Sequence, residues 1–255
     1  MIEKQNYTLG RGELYFDDGS GERYIGNTPE FTLSTATETL EHYNSDKGLR
    51  NRDRNIVTQV TYSGSFTTDH ISPENLAMLF MGTADTLTQS ALTGESDVFD
   101  SVSPMLWYQL GTSDAAPAGV RGVSNVSVEG AGATTLTEGS DYELDAQLGR
   151  LQILPDGNVS DGDSITVTYD VDATTRSQVV SGTKQVNGKL RYVSFNPEGA
   201  GAQRDYFMPS VTLSANGDFA LKAESDWQAI PFSAEISKTE TSEAVYADGR
   251  PFSAN

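Results

Sequence analysis

The feature that most constrains the fold of this chain is a pair of long alternating segments in its first third. They span residues 31–41 and 56–68, and both are rich in Thr, Val, Ile and aromatic residues, which suit a pleated, half-buried surface. In the second segment the apolar residues of one parity share a face: Ile56, Val60, Tyr62 and Phe66. Because polar residues alternate with them, the pattern predicts a long β-hairpin with one face in a core and one face in water.

The connection between the two segments is basic. Residues 43–55 hold Lys47, Arg50, Arg52 and Arg54 against two aspartates, a local charge of +2, whereas the whole chain carries −19. A basic loop on an acidic protein predicts contact with another acidic copy of the same chain. The alternative is a loop that is merely solvated.

A short helix is predicted directly after the hairpin. Ser72 is a good N-cap, Pro73 suits the first helical position, and Gly82 is placed to end the helix in a left-handed conformation. The residues between are apolar on every side, so this helix needs cover all round. We expect it to be central in a small core or shared with a neighbouring subunit.

Composition places the whole chain in the β class. Its 255 residues include 24 Gly and 9 Pro, and only 36% are hydrophobic, which is typical of a β protein with many turns. The absence of cysteine excludes disulfides and cysteine nucleophiles. No signal peptide or membrane span is apparent, so we expect the protein to be made and assembled in the cytoplasm. The net charge argues against nucleic-acid affinity, but an acidic wall would let DNA pass without sticking.

The middle of the chain reads as a separate acidic block. Short strands divided by Gly and Asp-Gly turns occupy residues 123–172, and residues 97–172 hold 13 acidic residues against two arginines. An Ala, Gly and Pro-rich stretch at 111–122 precedes them. The predicted domains are therefore a discontinuous one of residues 1–112 and 179–240, an exterior β-rich insertion of residues 113–178, and a C-terminal tail of residues 241–255.

No catalytic signature stands out in the sequence. There are two histidines, His42 and His70, far from obvious partners. The run 156–163 resembles a calcium loop, but its twelfth position is Val167 where that loop needs a bidentate Glu, so turn chemistry explains it better. We expect no enzyme activity, no cofactor and no metal.

The order of these segments resembles the tail tube proteins of long-tailed bacteriophages. The resemblance rests on a short strand pair, a long hairpin with a charged loop, Ser-Pro-Glu-Asn-Leu before a short helix, and closing segments at 188–192, 206–213 and 226–232. It covers residues 8–100 and 180–240. It implies a mainly β fold of two packed antiparallel sheets, a β-sandwich or barrel, with one short helix and a small β insertion.

The resemblance also implies a function. Subunits of that family form six-membered rings that stack into a hollow tube, through which DNA travels at ejection. By that analogy ten residues are expected to line the lumen: Glu38, Glu41, Gln59, Thr61, Ser63, Ser65, Thr67, Ser210, Thr212 and Ser214. Lys47, Arg50, Arg52 and Arg54 are expected to reach the next ring. The implied partners are further copies, a tape-measure protein, a tail terminator and a distal tail protein, in a virion tail without a membrane.

Two other readings of the sequence stay open. A β-sandwich binding or adhesin module would account for the acidic block and its aromatic residues, but not for the basic hairpin loop. The inner tube of a contractile tail or a secretion apparatus has similar sequence requirements. Neighbouring genes for a tape-measure protein and a tail terminator would favour the long-tailed phage.

Overall fold

The computed structural model describes residues 7–46, 48–197 and 203–250. Within these ranges the chain is mainly β, with several antiparallel sheets and one short helix, as the sequence predicted. The first elements are β1 (Gly12–Asp17), β2 (Glu22–Tyr24), β3 (Glu30–Asn44), β4 (Asn51–Thr68), α1 (Pro73–Leu79) and β5 (Thr83–Gln89). The next are β6 (Leu92–Val102), β7 (Trp107–Gln109), β8 (Val123–Gly130), β9 (Thr134–Thr135), β10 (Tyr142–Asp145), β11 (Arg150–Ile153) and β12 (Asp163–Val171). The last are β13 (Thr174–Val180), β14 (Val186–Ser194), β15 (Arg204–Ala215), β16 (Ile230–Ile236) and β17 (Tyr246–Gly249).

The chain divides into two compact units, of which the first is discontinuous. It comprises Met1–Ala84 and Val179–Asn255, and the second comprises Asp85–Gln178. The chain passes between the units in β5 and β13, which pair with each other. Among the described residues, no helix is long and apolar enough to cross a membrane.

The first unit is built on one eight-stranded antiparallel sheet. Its order is β2-β1-β14-β15-β16-β4-β3, and β17 pairs with the opening part of β15. Every second side chain of β16 lies on the inner face of the sheet. These side chains, Ile230, Phe232, Ala234 and Ile236, are all buried. The sheet curls: Phe31 of β3 contacts Tyr192 of β14, with ring centroids 6.0 Å apart, although three strands lie between β3 and β14 in the sheet order. The inner face therefore encloses the core.

Helix α1 packs on β15 and β16, and the sequence signals at its start are confirmed. Ser72 accepts a hydrogen bond from the backbone N–H of Asn75 at 3.2 Å, and Pro73 follows it. The buried Asn75 side chain donates to the carbonyls of Ile25 (2.7 Å) and His70 (2.8 Å), which fixes the helix to the chain before β3.

The predicted end of the helix was wrong in one detail. The left-handed residue is Met81, with a φ of 50°, and not Gly82. Gly82 is required for a different reason, since a Cβ there would overlap the carbonyl oxygen of Val180. It is the close approach of two backbone segments, and not a turn, that demands glycine.

The second unit is a small β-sandwich. A four-stranded sheet of order β6-β12-β8-β9 and a three-stranded sheet of order β10-β11-β7 contribute to one buried cluster. Ile165 and Val167 come from the first sheet, and Leu151 and Ile153 from the second, all fully buried. This unit holds 15 acidic residues and three arginines, a net charge of −12.

The limits of these units differ from the predicted domains. The insertion was expected to begin at residue 113, but the compact unit begins at Asp85 because β6 pairs along β12 and β7 pairs with β11. The predicted tail at 241–255 also contains β17, which pairs with Arg204–Phe207 of β15, and a buried Ala244. Residues 251–255 lie outside the described part of the chain.

Candidate functional site

The long hairpin formed by β3 and β4 extends well beyond the body of the first unit. The two strands pair along their whole length, from Glu30 opposite Thr67 to Asn44 opposite Asn51. Strand β16, however, covers β4 only over its last seven residues, from Tyr62 to Thr68. Every residue of β4 before Tyr62 is exposed. The distal part is thus a two-stranded ribbon of 11 residues on β4, on the order of 35 Å long, standing in solvent.

Two irregularities in the ribbon decide which side chains share a face. Thr58 is an extra residue on β4 between the pairs Glu38–Gln59 and Thr39–Val57, and a second shift follows His42. A bulge of this kind reverses the alternation beyond it. Ile56 consequently lies opposite Leu40 on the face of Glu38, and not on the core-side face predicted with Val60.

Both faces of the ribbon therefore expose apolar side chains. Leu40 and Ile56 form a cross-strand pair on one face, 66% and 46% exposed. Val57 and Val60 lie on the other face, both about half exposed. An isolated two-stranded ribbon is marginally stable in water, and covering these apolar residues would stabilise it.

The predicted basic loop is shorter than the sequence suggested, because β3 and β4 run to Asn44 and Asn51 and leave only six connecting residues. Arg52 lies in β4 and forms an ion pair with Glu41. His42 Nδ1 lies 2.6 Å from Asp53 Oδ1. Lys47 lies outside the described residues.

The two remaining arginines are free of ion pairs within the described chain. The Arg50 guanidinium lies 5.1 Å from the centroid of the Tyr43 ring. Arg54 stands opposite His42 near the end of the ribbon. Tyr43 in turn donates its hydroxyl to Glu41, and this bond, followed by that from Arg52, lowers the pKa of Glu41. Among the described tip residues, the charges without an ion pair are those of Arg50 and Arg54 against that of Asp46, a positive balance.

The outer face of the eight-stranded sheet is lined by small hydroxyl side chains. Ser63, Ser65 and Thr67 of β4 lie beside Glu235, Ser233 and Pro231 of β16. Ser214 Oγ lies 2.7 Å from Ser233 Oγ, and Thr212 lies opposite Glu235. Gln59 and Thr61 continue this face along the ribbon, where Gln59 is paired with Glu38 and donates to Thr61 at 3.1 Å.

Two of the ten predicted lumen residues depart from this arrangement. Glu41 lies on the opposite face from Glu38, in line with Phe31 and Leu33, so the two glutamates cannot both line one surface. Ser210 lies at the irregularity between the Gly188–Val211 and Leu190–Met208 pairs and is half-buried. The other eight share the outer face of the sheet.

Between β16 and the Glu38–Gln59 pair, the charged side chains of this face that lack an ion pair are acidic, whereas Arg54 lies further along the same face towards the tip. At the β1 and β14 side, Lys189 pairs with Asp17 at 3.2 Å and Arg191 with Glu22 at 2.6 Å. Glu38 and Glu235 on the same face have no ion pair within the described residues. A surface of hydroxyls and carboxylates hydrates well and repels phosphate.

Sequence reasoning did not predict the loop that joins β15 to β16, and it assigned residues 226–229 to a closing segment, whereas β16 begins only at Ile230. Residues 216–229 have no regular structure and expose Trp227 and Leu221. Gln228 Nε2 donates to the carbonyls of Ala220 (3.1 Å) and Leu221 (3.0 Å), which gives the segment a defined shape. The sequence signal was a tryptophan directly after an acidic residue, in a stretch without period.

A cleft of about 590 Å³ in the first unit was also missed. It lies where the sheet curls, and its apolar wall is formed by Phe31, Leu33, Tyr192 and Tyr206, with Arg11 and Asn27 at its polar side. Elsewhere, the described residues contain no group of three or more His, Asp or Glu that could hold a metal. In the run 156–163, the Asp163 carboxylate accepts from the Ser160 N–H at 2.7 Å within a turn, and the Asp161 carboxylate accepts from the Ser103 hydroxyl.

No curated protein matches the chain. A family model described as "Protein of unknown function UCP028589" matches residues 7–247, which include both compact units. By this match over nearly its whole length, the chain belongs to the UCP028589 family.

Proposed function

We propose that this protein is a structural subunit that assembles with copies of itself into stacked rings, as the tail tube subunits of long-tailed phages do. The observation that carries the proposal is the solvent-exposed ribbon of β3 and β4. Burying a large aliphatic side chain stabilises by about 1.5–3 kcal/mol, and the ribbon leaves four of them between 46% and 66% exposed: Leu40, Ile56, Val57 and Val60. A second copy of the chain provides the cover.

The free edge of the sheet supports the same proposal. Among the described residues, strand β3 pairs with β4 on one side only, and its other side presents backbone N–H and C=O groups without a strand partner along 15 residues. Long free edges template pairing with another chain. A ring closes when each subunit presents such an edge to the next, because a repeated head-to-tail contact either closes or extends indefinitely.

The outer polar face suits the wall of a channel for DNA. Its hydroxyl residues, together with Glu38 and Glu235, which have no ion pair within the described residues, present a hydrated, negative surface that gives phosphate no binding site. In this proposal DNA is cargo in transit, the tape-measure protein occupies the lumen before ejection, and terminator and distal tail proteins close the ends. The tube belongs to a virion tail assembled in the host cytoplasm.

Electron microscopy of the purified full-length chain tests this function. We expect rings or hollow tubes at high protein concentration. A double substitution, Leu40→Thr with Ile56→Thr, retains β propensity, removes the apolar pair and should prevent assembly. The matched control is Leu92→Thr with Val98→Thr, two similarly exposed residues of β6 in the second unit.

A binding module is the second candidate, and one observation favours it. Met105, Leu106 and Trp107 expose consecutive apolar side chains at the edge strand β7, with the Arg150 guanidinium 4.3 Å from the centroid of the Trp107 ring. A strictly monomeric protein whose Trp107 fluorescence responds to an added glycan would favour this function over assembly.

A further inference from the structure

The three most exposed large hydrophobic side chains among the described residues lie in two places. Trp227 is 93% exposed and Leu221 79% exposed, and both belong to the segment of residues 216–229, which we call the acceptor loop. Leu49 is 73% exposed and lies at the tip of the hairpin. Both places belong to the first unit. Each is an apolar surface that the described residues leave uncovered.

The strand register puts these two surfaces at opposite ends of the sheet. Strand β4 runs from Asn51, beside the tip, to Thr68, which pairs with Ile230 directly after the acceptor loop. Ala215, directly before the loop, pairs with Phe232 at the same end. The 18 residues of β4 span on the order of 55 Å. One copy cannot bring its own tip to its own loop, but two copies in head-to-tail order can.

The two surfaces also carry opposite charge. The acceptor loop holds Asp218, Glu224 and Asp226 against Lys222, a net charge of −2. At the tip, Arg50 and Arg54 have no ion pair within the described residues, whereas Arg52 is already paired with Glu41. Complementary charges steer association and fix its register.

We propose that the acceptor loop of one copy receives the hairpin tip of a second copy. Leu49 packs against Trp227 and Leu221, and Arg50 and Arg54 face the carboxylates of Glu224 and Asp226. The contact is heterologous, because the two surfaces differ, so its repetition stacks copies along the strand direction. This inference rests on the proposed function in that it assigns which surfaces join successive rings.

Disulfide trapping tests the contact directly, because the chain contains no cysteine. A Leu49→Cys protein and a Leu221→Cys protein are purified separately, mixed and oxidised under assembly conditions. We expect a heterodimer linked through these two positions, identified by mass spectrometry, and covalent ladders from the double variant. The control pairs Leu49→Cys with Ser20→Cys. Ser20 lies in the exposed acidic turn between Asp17 and Glu22, and this turn has no apolar side chain.

The outcomes separate the contact from the function. If tubes form but the 49–221 link is no more abundant than the 49–20 link, the acceptor loop is the wrong surface and the proposed function stands. If the parent protein assembles under no condition and neither link appears, both are overturned.

Tryptophan fluorescence gives an independent readout. In a Trp107→Phe variant, Trp227 is the one remaining tryptophan. Its emission should move to shorter wavelength on assembly, and Trp227→Ala should raise the concentration needed for assembly at least tenfold without changing the circular dichroism of the subunit. Assembly with unchanged Trp227 emission would contradict the contact.

Discussion

At the scale of single residues, Gly82 makes the sharpest structural demand. A Cβ at this position overlaps the Val180 carbonyl, and neither backbone segment can move freely. Gly82→Ala should therefore destabilise the first unit by about 1–3 kcal/mol, the usual cost of forcing an extra carbon into a packed site. Gly249→Ala is the matched control, because a Cβ there has no neighbour within 4 Å. Urea denaturation should separate the two variants, and equal midpoints would contradict the close approach at Gly82.

A second prediction concerns Asp141 and the pH dependence of stability. Its carboxylate accepts from the backbone N–H groups of Thr137 (2.7 Å) and Asn158 (2.8 Å), which lower its pKa below the ordinary value of about 3.9. Since the folded-state pKa is depressed, this contribution to stability is present above the ordinary value and is lost as the pH falls through the folded-state pKa.

Asp141→Asn should therefore be less stable than the parent at pH 7, with a smaller difference at pH 3. Thermal unfolding of both proteins at the two values measures this. A difference that grows in acid would show that the carboxylate is not what organises these turns.

At the scale of elements, assembly through the hairpin tip should depend on Arg50 and Arg54 more than on Arg52, which is already paired with Glu41. Arg50→Glu with Arg54→Glu should leave the subunit folded and suppress assembly, because it makes the tip acidic. Exposed ion pairs contribute only up to about 1 kcal/mol each, so the effect comes from their repetition around a ring. Sedimentation at low and high salt measures it, and assembly of the double variant at the parent's concentration would show that the tip is merely solvated.

The elements differ in how well the sequence predicts them. The sequence period predicts strand β16 and the part of β4 from Tyr62 to Thr68, and the capping residues predict helix α1. In these elements the packing matches the local sequence pattern. The sequence does not predict which residues share a face in the distal ribbon, since the extra residue Thr58 has no recognisable sequence signal and moves Ile56 to the other face. The acceptor loop was missed for the opposite reason: its exposed Trp227 belongs to no periodic element. The ion pair of Arg52 with Glu41 depends on register, which sequence alone did not fix.

At the scale of the whole molecule, the first unit should fold without the second. Its two chain segments end in β5 and β13, which pair with each other, and each unit has its own buried cluster. Replacing residues 85–178 with a short Gly/Ser linker should leave a soluble β protein with a cooperative thermal transition. An insoluble product would mean that the second unit completes the core of the first.

If this chain assembles with itself through the hairpin, its sedimentation should depend on protein concentration. Sedimentation velocity of the purified protein, over a wide range of concentration and salt and with electron microscopy of the fastest fraction, should show conversion of subunits into rings and hollow tubes. The Leu40→Thr, Ile56→Thr variant should stay small under the same conditions. A parent protein that sediments as a monomer at every concentration and salt would contradict the account.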